Sequence, residues 1–591
     1  MREPIRARRA APPFLDLLSF APLYLVTATL MVLTLLALLA LGACAPGADD
    51  TADDTADAAP PAEAAPAGGD VIGEVSFSTT CDPELQEDFD EAIATLHSFE
   101  YDEARGQFAS IAERDPECAI AHWGVAMTWF HPLWAPPTPA ELEAGQAAIE
   151  QAASVASETE DGDTSERERQ YIDALAAFYR DADSLPHSER SERWETAMAE
   201  VRESNPDDVE ATIFYGLSRL ANLDMTDKTY AVQKETGAML EPLFAEMPNH
   251  PGLAHYIIHS YDFPPLAAQA EQAAHRYLDI ATSMPHALHM SGHIFTQLGM
   301  WEDSIEANSR SAQAARERRE KSAGMGGQAQ MNEMHALDYQ LYAHLQRGEV
   351  DEAREIVEHV EAQEGLNWQH GIVAFNAGAV PVRWAMERKA WEEAADLPPL
   401  TGAEAAAAAY TQGAVALRHW ARAVGAARSG DPEQAEADLA KLTGIAETMK
   451  ASDDVWARNT GEVLRQQAEA WLAFARGEQE RALELLHSAA ALEDRTDKSG
   501  LSPGRVLPAH EQLGDLLMEL DRPDQALAEY EESLKHAPLR LNSHLGAARA
   551  AVDAGKPEIA RAHYQHLRDL VVEGSPAPAR QEAVDFLSGT A

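Results

Sequence analysis

From about Glu84 onward, apolar residues return every three or four positions, and no convincing apolar/polar alternation marks a strand. On a helix this spacing gathers the apolar side chains along one face. Helix pairs are predicted over residues 85–118, 119–158, 165–206, 209–248, 251–284, 285–318, 334–367, 375–400, 416–446, 463–496, 507–540 and 541–574. A helical hairpin buries its apolar face only against a neighbour, so an all-α solenoid of about twelve hairpins is expected over residues 81–591. Length alone points to several domains, but no linker interrupts the pattern after Asp70. The Gly-rich KSAGMGGQAQ, residues 321–330, reads as a loop between repeats.

The register of the hairpins is clearest near the C-terminus. LPAHEQLGDLLMELDRPDQALAEYEESLKHAPLR, residues 507–540, carries Leu513, Gly514 and Leu517 in a first helix and Ala526, Tyr530 and Pro538 later. Pro557, Ala560 and Tyr564 follow one 34-residue period after Pro523, Ala526 and Tyr530. The pattern W-x2-L-G-x2-Y, A-x3-F, P is that of tetratricopeptide repeats, and only its opening Trp is replaced, by His510. The chain therefore resembles the tetratricopeptide repeat family. Anchors elsewhere include Ala104 with Phe108 and Pro116, Gly348 with Ala353, Gly430 with Ala435, and Gly477 with Ala482. The resemblance implies a scaffold whose concave groove takes a protein or peptide partner. It also implies that the second, fifth and ninth places of each first helix look into that groove.

In that register, residues 250–293 stand out, with seven of the 22 histidines. His286, His289 and His293 take the second, fifth and ninth groove places of one repeat. His255 and His259 take the fifth and ninth of the repeat before. Steps of three and four put each set on one helix face. With adjacent helices about 8 to 10 Å apart, His255, His259, His289 and His293 are expected to converge on one ion at the roughly 2.0 Å of zinc–imidazole bonds. His286 lies on the same stripe. The next repeat adds His335 and Asp338, with Tyr342 one turn on, as a third wall that completes or tunes the shell. Imidazoles suit zinc, copper, iron or nickel, whereas calcium and magnesium want oxygen; copper and zinc are the expected ions. The competing reading is a polar, histidine-lined groove that binds peptide or packs a neighbouring loop.

Composition and the N-terminus set the compartment. MREPIRARRA is basic, residues 14–43 are almost wholly apolar, and Leu41-Gly42-Ala43-Cys44 closes the run. That order describes a secretory signal over residues 1–43. The last four residues resemble the lipobox of bacterial lipoproteins, which implies that Cys44 is lipidated and becomes the mature N-terminus. The apolar run is also long enough to stay as an uncleaved anchor. Residues 45–70 repeat Ala, Asp and Pro with no large apolar side chain, a disordered acidic spacer; with Cys44 and the stretch to residue 80 they form the expected linker. Either way the bulk of the chain is expected on the periplasmic, extracytoplasmic side of a membrane. There a bridge between Cys81 and Cys118 is expected, because the first hairpin brings its two ends together.

A net charge of −52 argues against nucleic acid as a partner, which needs a basic surface. The acidic residues are spread over all repeats, as on a solvated surface. In HWGVAMTWFHPLWAPPTP, residues 122–139, Trp123 and Trp129 are expected to pack between hairpins while the prolines shape a loop, the alternative being a ligand-contacting lip on the groove. No phosphate-cradling G-x4-G-K-[ST], G-x-G-x-x-G, G-x-S-x-G or H-E-x-x-H occurs. Two functions are left: a membrane-tethered scaffold binding a protein, peptide or metal-bearing partner in its histidine-lined groove, and a copper or zinc metalloenzyme doing redox or hydrolytic chemistry there.

Overall fold

A computed structural model describes residues 72–133, 136–158, 164–321, 326–400, 409–452, 455–497 and 500–589. The leader, Cys44 and the acidic spacer lie outside the described residues. Twenty-five α-helices follow one another without a strand among the described residues, and twenty-four of them pair into twelve consecutive hairpins. The helix Pro578–Ser588 closes the row against the last hairpin. The protein is an all-α array of tetratricopeptide-like hairpins.

The helix ends are written locally. At Ser429-Gly430-Asp431-Pro432 the first helix stops where Gly430 takes φ +90°. Asp431 then caps the next helix by accepting from the Gln434 N–H, and Pro432, which has no N–H to leave unpaired, starts it. The packing rule is equally local. Tyr530 is buried between two neighbouring helices because Gly514 and Gly546 leave room for its ring; a Cβ at either would meet the ring at 2.8 or 2.3 Å.

The row curls back on itself. The turn of the first hairpin, between Gln86–His97 and Tyr101–Arg114, reaches the sixth and seventh hairpins: Gln328 donates to the Phe99 carbonyl at 2.7 Å, and Arg318 pairs with Glu103. One turn later the seventh hairpin meets the C-terminal repeats, where Leu541 N–H donates to Gln346 at 2.9 Å and Val572 N–H to the Arg347 carbonyl at 3.0 Å. Of the 321–330 stretch, Lys321 ends one helix, residues 322–325 lie outside the described residues, and residues 326–330 start the next helix. The Gly326–Arg347 helix has begun by Gly326, and Gln328 on it makes the contact to Phe99.

The folded part also begins earlier than Cys81. Residues 72–80 lie extended across several hairpins: Glu74 N–H donates to the Asn249 carbonyl at 3.0 Å, Phe77 N–H to Asp90 at 2.8 Å and Thr80 N–H to Glu168 at 2.8 Å. Phe77 is fully buried among Phe89, Trp123 and Tyr171, with ring centroids 5.4, 5.9 and 5.2 Å away. That side chain removes the segment from the expected linker, because a fully buried aromatic ties its backbone down. Cys81 and Cys118 are bonded, with Cα atoms 4.8 Å apart, and join this segment to the start of the second hairpin. Among the described residues, no helix is long and apolar enough to cross a membrane.

Candidate metal centre

Two equivalent helices carry the histidines. Pro251–Tyr261 and Pro285–Leu298 both begin with proline in the first turn, and both place a histidine four and eight residues further on. His255 and His259 are thus copied at His289 and His293. Their rings meet other hairpins, Phe99 beside His255 and Tyr339 beside His293. His255, His289 and His293 are buried at 0, 1 and 3 % exposure, and His259 keeps only a partly exposed edge.

The structure sorts the histidines into two triads instead of one four-histidine shell. His255, His259 and His286 form the first; His289, His293 and His335 form the second, with one ring nitrogen from each residue of a triad within 4.8 Å of the others. The division follows from helix geometry, since side chains four apart on one helix meet more closely than side chains on neighbouring helices. The Nε2 atoms of His255 and His259 are 3.1 Å apart, and those of His289 and His293 are 2.8 Å apart. Two nitrogens bound to one ion at 2.0 to 2.1 Å lie about 3 Å from each other. In each case the following hairpin supplies the third histidine. The triads share the Pro285–Leu298 helix, on which the His286 and His289 ring centroids are 6.5 Å apart.

Asp338 does not join them. Both its carboxylate oxygens are taken by Arg383, at 2.8 and 3.1 Å, in a fully buried pair. Tyr342 is likewise engaged elsewhere, accepting from Arg540. The carboxylate at the centre is Asp262, which sequence reasoning passed over although it lies three residues after His259.

The Nδ1 atoms are held from behind. His255 donates to the His97 carbonyl at 2.6 Å, His289 to Asn308 Oδ1 at 2.7 Å and His293 to Asp262 at 2.7 Å. The Asn308 amide has only one sensible orientation, because its Nδ2 donates to the Ser304 carbonyl at 2.7 Å. With the protons on Nδ1 alone, the Nε2 atoms of His289 and His293 would point lone pairs at one another across 2.8 Å. A positive charge between them, a proton or a metal ion, turns that repulsion into attraction. Backing groups of this kind fix tautomer and ring orientation in metal sites.

Burial sets the protonation state. It pushes the imidazoles of His255, His286 and His289 well below their ordinary range, with neighbouring imidazoles adding to it, and holds His259 down to about 3. These four rings are neutral at pH 7, the form that ligates. The Phe99 ring covers the first triad, 4.4 Å from His255 and 5.4 Å from His286. Tyr339 stacks on His293 at 4.7 Å, its hydroxyl 2.9 Å from the Gly500 carbonyl of a distant loop. Beside the triads is a cavity of about 150 Å³, where His259, His286, His293 and His335 meet Met290 and Ile372.

A second buried trio, His97, Glu210 and His250, is complete in itself. Glu210 accepts from both Nε2 atoms, at 2.9 and 2.8 Å, and Tyr256 donates to His97 Nδ1 at 2.9 Å. Burial opposes ionisation of Glu210, but His250 and His97 outweigh it and hold the carboxyl below its usual range. The trio fixes residue 97, whose carbonyl orients His255.

No family model matches the sequence, and no curated protein does. Solved structures similar to the chain include a tetratricopeptide repeat protein from Parabacteroides merdae, at 12% identity over 51% of this chain and 98% of that one, with a TM-score of 0.27. Yeast Tom70 is 11% identical over 85% and 95% of the two chains, with a TM-score of 0.33. The human IFIT1 dimer with PPP-AAAA is 11% identical over 80% and 88%, with a TM-score of 0.33. The repeat assignment rests on the chain's own period and packing.

Proposed function

We propose that this protein holds transition-metal ions in its two histidine triads. The observation that carries the reading is the pair of facing Nε2 contacts, 3.1 and 2.8 Å, repeated on consecutive hairpins and each completed by a third histidine. Six imidazoles with no thiolate among them suit copper or zinc, and three donors per ion leave a place for a ligand. The test is metal analysis of the full chain, purified without chelators and reconstituted with copper and with zinc. His259→Ala and His293→Ala should each lose bound metal. His275→Ala should keep it, because His275 is exposed on the other helix of its hairpin and packs on Phe295. Absence of metal from the unmutated protein would sink the reading.

The setting proposed with it is the outer side of a bacterial membrane, reached through the leader and a lipid on Cys44. Replacement of Cys44 by Ser should prevent lipid attachment; an unchanged acylation state and membrane fractionation would exclude the lipid anchor.

A scaffold role for a protein or peptide partner is the second reading. Its support is the strip across the early hairpins occupied by residues 72–80, which shows the kind of extended segment that this face accepts.

A further inference from the structure

We infer that the two triads form one dicopper unit that takes up dioxygen as peroxide. This rests on the metal reading above and adds the identity of the ion, the coupling of the two sites and the ligand.

Charge argues for copper. The donors that the two triads offer are imidazoles, three in each. Asp262 is bonded to a triad ring, accepting from His293 at 2.7 Å through one oxygen and from Gln297 at 3.1 Å through the other. Glu100 is turned to the His286 backbone N–H and to Arg318, and Asp338 belongs to Arg383. Two divalent ions would put four positive charges among the imidazoles of a buried site, a costly state in a medium of low polarity. Two copper(I) ions bring only two. Each copper(I) then has three nitrogen donors and room for one more ligand.

Geometry argues for a pair. The triads share one helix, and the cavity of about 150 Å³ is lined by two histidines of each: His259 and His286 from the first, His293 and His335 from the second. A molecule in that space touches histidines of both triads at once. Its other walls are Leu133, Met290, Met331, Ile372 and Leu501, which are apolar, with Tyr410 and Gly500. A cavity of about 150 Å³ has room for a small molecule such as dioxygen.

The reaction balances within the site. Each copper(I) gives one electron, the two electrons reduce O=O to a peroxide dianion with a single O–O bond, and the peroxide bridges two copper(II) ions. No proton and no outside reductant is consumed. The total charge in the buried site is the same before and after, which removes the electrostatic obstacle that a charge-separating reaction would face there. Release of dioxygen is the reverse.

The experiment loads the full chain with copper(I) under argon and then admits air. Expected are two copper ions per chain, uptake of one dioxygen per two copper ions, a new near-ultraviolet charge-transfer band that fades under vacuum, and no paramagnetic copper(II) signal because the two spins couple. One copper per chain, or two with the paramagnetic signal of isolated copper(II) and no dioxygen uptake, overturns the pair while leaving metal binding intact. No bound copper or zinc overturns the metal reading itself. Ile372→Trp, which fills the cavity without touching a ligand, should keep both copper ions and lower dioxygen uptake at least tenfold. Unchanged uptake in that variant places the dioxygen elsewhere and overturns the assignment.

Discussion

His289 donates from Nδ1 to Asn308 Oδ1 at 2.7 Å, and Gly292, one turn along the same helix, leaves the space that this amide occupies. A Cβ on residue 292 would lie 2.5 Å from Asn308 Nδ2. Gly292→Ala should therefore push the amide off His289 and loosen the second triad, while the helix, if anything, gains from losing a glycine. Loss of a group that orients a metal-bound histidine typically costs 10- to 100-fold in affinity. A chelator competition titration should show a loss of about that size for Gly292→Ala and Asn308→Leu. Wild-type affinity in both variants would remove Asn308 from the site.

The same pair of residues marks how far the sequence could be read. Gly514 makes room for Tyr530, sixteen positions later, and Gly292 makes room for Asn308 at the same spacing. The histidine stripes were legible because the 34-residue period repeats Pro251, His255 and His259 at Pro285, His289 and His293, and period is a property of the chain itself. The replacement of a helix-packing aromatic by Asn308 in that repeat was a signal of the same kind. The division into two triads was not legible, because it depends on which neighbouring helix brings His286 and His335 close. Nor was the fate of Asp338, decided by Arg383 from the next hairpin. The cover over the site comes from Phe99 and from the 500–502 loop, which reach it only because the row of hairpins curls.

Phe77 should be the anchor of the N-terminal segment. Truncating a fully buried phenylalanine costs about 3–5 kcal/mol, and here the segment has few other buried side chains. Phe77→Ala is expected to lower the denaturant midpoint of the early hairpins and to open residues 72–80 to protease. An unchanged midpoint with the segment still protected would show that its backbone hydrogen bonds to Asn249, Asp90 and Glu168 suffice.

Arg540 joins two levels of the curl. It is fully buried and donates to Glu387 at 2.7 Å and to Glu511 at 2.7 and 3.2 Å. Removing one partner from a buried ionic network leaves the others uncompensated, a loss of about 3–5 kcal/mol. Arg540→Leu should therefore destabilise the C-terminal repeats by that order in chemical unfolding. Lys535→Ala, which deletes an exposed pair with Glu532, should change nothing measurable. Equal effects from the two substitutions would mean that the buried network is not what holds these repeats together.

His510 gives the C-terminal repeats a pH dependence. It stands in the place of the consensus tryptophan, with Nδ1 2.7 Å from Glu529 and Nε2 3.2 Å from Asp494. Burial alone would lower its pKa, but the two carboxylates outweigh burial and push it up to about 10. The free imidazole value is about 6.5, so the folded form holds a proton that the unfolded form gives up between these values. Stabilisation from His510 is therefore complete below about pH 6.5 and is lost as pH rises through about 10. The stability difference between the wild type and His510→Ala should be largest at pH 6, shrink steadily above pH 7 and vanish near pH 10.5. Nearby His536, 3.6 Å from the same Asp494, is exposed and sits at the edge of this network; His536→Ala should leave the profile in place. A difference that is flat across the range, or that grows toward alkaline pH, would mean that His510 is neutral in the folded protein and packs merely as a substitute for the tryptophan.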